Sequence, residues 1–216
     1  VPMPGVPSVT GCDGTNPNPT INGVAELVMF RDYNFCNVPG TCDNYTISWD
    51  VCCRNAVITS LTNPSGSGIA SNSTIINPSL ATCNSSPTFS NKPVPYICEG
   101  QDFTFNQGAI DPDGDSLSYE LGDCLDNTFV PVNYGGGYTS QQPLGTTWDV
   151  NINPITGDVS MLPNPSGIQV TVVICVVVKE WRNGNLINEI TRDMQITVIP
   201  NCQQANPITG GVQNMG

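Results

Sequence analysis

Ten cysteines and no histidine in 216 residues constrain this chain more than any other feature. An even number of thiols without the paired Cys-x-x-Cys spacing of a zinc site predicts disulfides, which persist where the surroundings are oxidising. Cys12, Cys36, Cys42, Cys52, Cys53, Cys83, Cys98, Cys124, Cys175 and Cys202 are all expected to be bridged, in a protein that is secreted, extracellular or held at a cell surface. Lack of histidine removes Ser-His-Asp and Cys-His nucleophiles together with every imidazole metal ligand. The remaining carboxylate candidates for glycoside hydrolysis, such as Asp111 and Asp126, lie in turn-forming sequence without apolar surroundings to raise one pKa. No glycine-rich loop leads into a helix. No enzyme is expected.

Six basic residues against 18 acidic ones give a formal charge of −12, which argues against nucleic acid and anionic membrane surfaces as partners. Only 11% of residues are charged, whereas Asn, Ser, Thr, Gly and Pro abound, a balance that favours strands joined by turns over surface helices. The most apolar run, 170–178, is strand-length and far short of a bilayer span, so no membrane insertion is expected.

Along the chain, five prolines in residues 1–19 predict an extended arm, and 23–30 reads as a first strand. Cys36 and Cys42 flank a Pro-Gly turn that a disulfide can close. In 45–53 the alternation is clear: Ile47, Trp49, Val51 and Cys53 share one face, with Trp49 and Cys53 expected in the core. Alternation also predicts that Cys52 and Cys53 bond different partners, Cys83 being the choice for Cys53. A strand is expected over 56–61. Residues 62–90 read mostly as loop; Asn44, Asn72 and Asn84 head Asn-x-Ser/Thr glycosylation sequons, which in a bacterial chain read as ordinary turn residues. Strand character resumes over 94–105, and a boundary falls near Lys92-Pro93.

Residues 110–121, Ile-Asp-Pro-Asp-Gly-Asp-Ser-Leu-Ser-Tyr-Glu-Leu, place Asp111, Asp113 and Asp115 on one short turn. Hard oxygen ligands crowded in this way suit calcium, although Asp, Pro and Gly also make a tight acidic turn unaided. The glycine position and Gly122 in twelfth place exclude an EF-hand. Leu117, Tyr119 and Leu121 then alternate as a half-buried strand. Tyr134 and Tyr138 bracket three glycines at an expected flexible tip, where they could contact a sugar or a surface protein. A hairpin is predicted around 153–158, a doubly covered strand over 168–178 with Cys175 inside, and a second hairpin at Asn183-Gly184. After it Met194, Ile196 and Val198 are expected to face inward, with Asp193, Gln195 and Thr197 outward.

Four stretches carry a family resemblance: Trp49-Asp50-Val51-Cys52-Cys53-Arg54-Asn55-Ala56, Cys83-Asn84-Ser85-Ser86-Pro87-Thr88-Phe89-Ser90, residues 110–121 and residues 173–185. Through them the chain resembles the gliding-motility-associated, type IX secretion-dependent adhesin-like surface proteins of Bacteroidetes. The second half also looks like a cadherin-like or Ig-like β-sandwich. The resemblance implies extracellular β-sandwich modules; with the boundary near Lys92-Pro93 and the disulfides, the expected all-β fold is two such sandwiches in tandem, disulfide-stapled, over 12–92 and 93–202, between an arm at 1–11 and a tail at 203–216. The resemblance also implies adhesive or structural roles without catalytic residues. Asp115-Ser116-Leu117 resembles the short O-glycosylation signal of that phylum, which would place a glycan on Ser116.

The expected function is therefore a subunit of a surface filament or repeat array, joined to its own copies or neighbouring repeats when a terminal arm adds a strand to a sheet edge. The alternative is an adhesin module that binds glycan or a surface protein through its loops.

Overall fold

A computed structural model describes residues 44–76, 84–93, 96–146, 148–163 and 166–200, all within one compact unit, Cys42–Gly216. The fold is all-β. Its strands are β1 (Asn44–Val51), β2 (Ile69–Ile76), β3 (Thr88–Phe89), β4 (Tyr96–Cys98), β5 (Phe103–Asn106), β6 (Ala109–Ile110), β7 (Ser116–Gly122), β8 (Asp149–Ile152), β9 (Asp158–Leu162), β10 (Val170–Arg182) and β11 (Asn185–Ile199). A single 3-10 turn, Pro64–Gly66, supplies the helical geometry seen among the described residues.

The organising element is the β10–β11 ribbon. Its turn has Asn183 and Gly184 at φ 52° and 79°, the left-handed pair that a type I′ hairpin requires and that Asn-Gly adopts at little cost. β10 pairs with β7 on its other edge, while β11 is bordered by β2 at Asn188–Ile190 and, farther along, by β4 in parallel at Thr197–Ile199. With β1 outside β2, this makes a six-stranded sheet. A three-stranded sheet, β5-β9-β8, and a two-stranded one, β3-β6, complete the described strands.

Residues 171–178 are buried without a break, because β10 is covered on both faces. Val172, Ile174, Val176 and Val178 pack with Phe105, Val159, Met161, Met194, Ile196 and Val198 in one core. Val173 and Cys175 pack with Ile58, Leu61, Cys124 and Val132 in a second. The doubly covered strand, both hairpins and the half-buried alternation of β7 thus form as the sequence predicts. Asp193 and Thr197 do not face solvent, because the segment after β1 covers their side. Asp193 pairs with buried Arg54, and the Thr197 hydroxyl lies 3.0 Å from that of Thr171.

Several expectations are corrected. The boundary near Lys92 does not separate two sheets, since β2 before it pairs with β11 after it. β2 forms where a loop was expected, and it takes up Asn72. Asn44 opens β1. No strand forms over 56–61; that segment lies against β10 instead, with Thr59 N–H donating to Thr171 O at 2.7 Å.

Trp49 is 44% exposed, and Ile47 and Val51 are also exposed. β1 lies at the outer end of the sheet, and neither core includes any of its residues. Cys52 bonds Cys53, not separate partners, which also removes the Cys53–Cys83 pairing. β1 ends at Val51, so strand alternation does not reach the two cysteines, and both are exposed. Cys124 bonds Cys175 inside the second core, with Cα atoms 5.2 Å apart. Cys98 is also disulfide-bonded. Cys12, Cys36, Cys42, Cys83 and Cys202, the strand at 23–30, and the arms at 1–11 and 203–216 lie outside the described residues.

Candidate functional site

The acidic loop between β6 and β7 is built by its own backbone. Gly114 takes φ 84°, which lets the chain turn back so that Asp111 Oδ1 accepts from the N–H groups of both Asp113 and Asp115 at 2.9 Å. The carboxylates of Asp111, Asp113 and Asp115 then converge, with one oxygen from each lying within 4.8 Å of the others. Sequence spacing alone had pointed to this grouping.

The β7–β10 register sets Ser116 against Trp181, which brings Arg182 beside Asp115. Its Nε lies 2.9 and 3.1 Å from the two Asp115 oxygens, and its NH2 is 2.6 Å from Oδ2. The same NH2 donates to Asn84 Oδ1 at 2.8 Å and stands 3.8 Å from Asp113 Oδ2. The Arg182 hydrogen bonds hold the Asp115 carboxyl below the usual carboxylate range, against the opposing effect of burial.

Glu180, like Arg182, is a residue that sequence reasoning missed. It is fully buried at 0% exposure, two positions beyond Val178 on the same strand. Burial pushes its carboxyl up to about 7, and the neighbouring Asp111 and Asp115 carboxyls push the same way, while Asn188 and Asn84 oppose them. Oε2 accepts from Asn188 Nδ2 at 3.0 Å. Glu180 Oε1 and Asp111 Oδ2 are buried without a hydrogen-bond partner. The available signal was a glutamate in step with Val172, Ile174, Val176 and Val178, shortly before the Asn-Gly turn.

The segment at 84–86 closes this end of the molecule. Ser85 N–H donates to Asp113 Oδ2 at 2.6 Å, and Asn188 Nδ2 donates to Ser86 Oγ at 3.1 Å. Asn84 is therefore a structural hydrogen-bonding residue rather than a plain turn residue.

The other candidates lie elsewhere. Tyr134 is half-buried, and burial raises its pKa to about 12. Tyr138 packs against the first core. The pair therefore does not present two free aromatic faces at a loop tip. Ser116 is exposed at the start of β7. Asp126 accepts from the Thr128 N–H and hydroxyl at 2.7 and 2.6 Å, which stabilises a turn.

No protein-family model matches the chain. It is 28% identical over 153 residues, 69% of its length, to integrin beta-like protein A of Dictyostelium discoideum, and it spans 7% of that protein. A solved structure of a nucleoside hydrolase-related hypothetical protein from Saccharophagus degradans, associated with carbohydrate metabolism, is 16% identical at a TM-score of 0.32. That match covers 54% of this chain and 26% of the other, a likeness too distant to inform fold or activity. No helix among the described residues is long and apolar enough to cross a membrane.

Proposed function

We propose that this chain is a non-catalytic module of an extracellular adhesion protein, a disulfide-fastened β unit of the Ig-like or cadherin-like kind. The similarity to an integrin beta-like protein over 69% of the chain carries this reading. Bridges at Cys52–Cys53 and Cys124–Cys175 support an oxidising compartment. Kinship with the Bacteroidetes surface proteins belongs to the same proposal, as does a glycan on exposed Ser116, which mass analysis of native material would detect.

Within this reading the module is structural first: copies or neighbouring repeats join through the arms at 1–11 and 203–216, and β-strand addition supplies main-chain hydrogen bonds. Loop-mediated glycan binding is the second reading, weakened by the packing of Tyr134 and Tyr138.

The test uses oxidised full-length chain. Beads coated with it should hold to cells more strongly than albumin-coated beads, and electron microscopy should show multimers that deletion of 1–11 or 203–216 abolishes. Equal bead retention rejects the adhesive role, and unaltered assembly in both truncations rejects the arm mechanism.

A further inference from the structure

We propose that Glu180 completes, with Asp111, Asp113 and Asp115, a site for a hard divalent cation, calcium by ligand type, that fastens the segment at 84–86 to the end of the β10–β11 ribbon.

Three aspartates on a turn would not suffice for this inference. The decisive addition comes from a different element: Glu180 is fully buried on β10 beside the Asp115 carboxyl, and its Oε1 has no donor. Asp111 Oδ2, on the loop, is likewise buried and unpartnered. Buried polar atoms in native proteins nearly always have partners, and an unpaired carboxylate oxygen carries the full cost of its desolvation. Two such oxygens beside one cluster are acceptors that a cation would satisfy.

Charge points the same way. Four carboxyl groups share the neighbourhood of one guanidinium, and the Arg182 bonds described above reach Asp115, Asn84 and one oxygen of Asp113. Asp111 and Glu180 receive nothing from it in these bonds. All candidate donors are oxygens, with neither thiolate nor imidazole among them, which selects calcium or magnesium over zinc or copper. Irregular placement on a turn and a strand suits calcium, whose coordination is flexible, better than magnesium, which demands a near-ideal octahedron.

The same residues hold the segment at 84–86. Ser85 N–H donates to Asp113, Asn84 accepts from Arg182, and Ser86 Oγ accepts from Asn188, which also donates to Glu180. A cation that orders the four carboxylates thereby orders this segment.

The experiment is calorimetric titration of calcium chloride into chelator-stripped, oxidised full-length protein, with magnesium as comparison, on wild type, Glu180→Gln and Asp111→Asn. One calcium site, bound more weakly by about 10–100-fold in Glu180→Gln, is expected. Circular dichroism in chelator checks that each variant is folded, and Asp111→Asn provides a second route if Glu180→Gln is not. Hydrogen exchange at the Ser85 and Ser86 amides should slow on adding calcium to wild type. Absence of calcium uptake by wild type, equal affinity in the folded Glu180→Gln and wild-type proteins, or unchanged exchange at Ser85 and Ser86 would each overturn the proposal. None of these readouts involves cell contact, so failure here is separate from failure of the adhesive reading.

Discussion

Arg54 and Asp193, 139 residues apart, form a two-pronged ion pair inside the protein, NH1 to Oδ1 at 3.0 Å and NH2 to Oδ2 at 2.5 Å, with side chains only 1% and 8% exposed. Arg54 NH2 also donates to Leu125 O at 3.0 Å. Three separate parts of the chain meet at this guanidinium. Removing one member of such a pair strands the other charge away from water, which typically costs about 3–5 kcal/mol. Arg54→Met should therefore lower unfolding free energy by about that amount in urea titration, and a loss under about 1 kcal/mol would contradict the buried pairing.

The two described bridges should differ in accessibility. Cys124 and Cys175 are 0% and 1% exposed, whereas Cys52 and Cys53 are both at the surface. Mild reductant followed by alkylation and mass analysis should label the Cys52–Cys53 pair first. The Cys124–Cys175 bridge spans 51 residues in sequence, and loss of loop-closure restriction of that size corresponds to about 4 kcal/mol on the chain-entropy model. A double Cys124→Ala, Cys175→Ala variant that unfolds at the wild-type urea midpoint would refute that role.

Core and edge positions should respond very differently. Ile174 is buried in β10 and Trp49 is 44% exposed on β1. Ile174→Ala should cost about 2–5 kcal/mol, whereas Trp49→Ser should stay within about 0.5 kcal/mol. Comparable losses at both sites would show that β1 is covered.

Much of this contrast was legible in the sequence, and the exceptions have physical causes. The β7–β10–β11 sheet could be read because an apolar run, a period-two alternation and an Asn-Gly turn all agree. β2 could not, because its serines are accommodated by partners remote in sequence: Ser71 Oγ donates to Thr191 O at 2.7 Å and Ser73 Oγ to Asn188 Oδ1 at 3.4 Å. Residues 56–61 look like a strand because Ile58 and Leu61 are apolar, yet those side chains fill the second core from a segment of turns and bends. The Asp triad was visible as local spacing. Glu180 and Arg182 were not, since only the β7–β10 register brings them to the loop.

Gly157 occupies a position that admits no side chain. Its φ is 73°, and an added Cβ would stand 2.7 Å from Tyr119 Cε1. Gly157→Ala should destabilise by more than about 1 kcal/mol and perturb the Tyr119 ring resonances. A neutral effect would place the hairpin turn away from β7.

Asp158 should titrate abnormally low. Hydrogen bonds from Thr156 and then Asn106 hold its carboxyl below the ordinary 3.8, with burial opposing slightly. A carboxyl with a depressed folded pKa stabilises the fold above its unfolded value, and that contribution disappears as pH falls through the folded value. NMR titration should give a midpoint below 3.8 in wild type and a higher one in Thr156→Val. The same midpoint in both proteins would remove the hydroxyl as the cause.

The pairing of β2 with β11 has a consequence for how the molecule is made. Ribosomes deliver residues 69–76 more than a hundred positions before residues 188–190. During that interval β2 has β1 along one edge only, and Arg54 waits without its counter-charge. Completion of this sheet therefore waits until β11 has been synthesised, and a nascent polypeptide cut short before β11 leaves an edge of β2 unpaired.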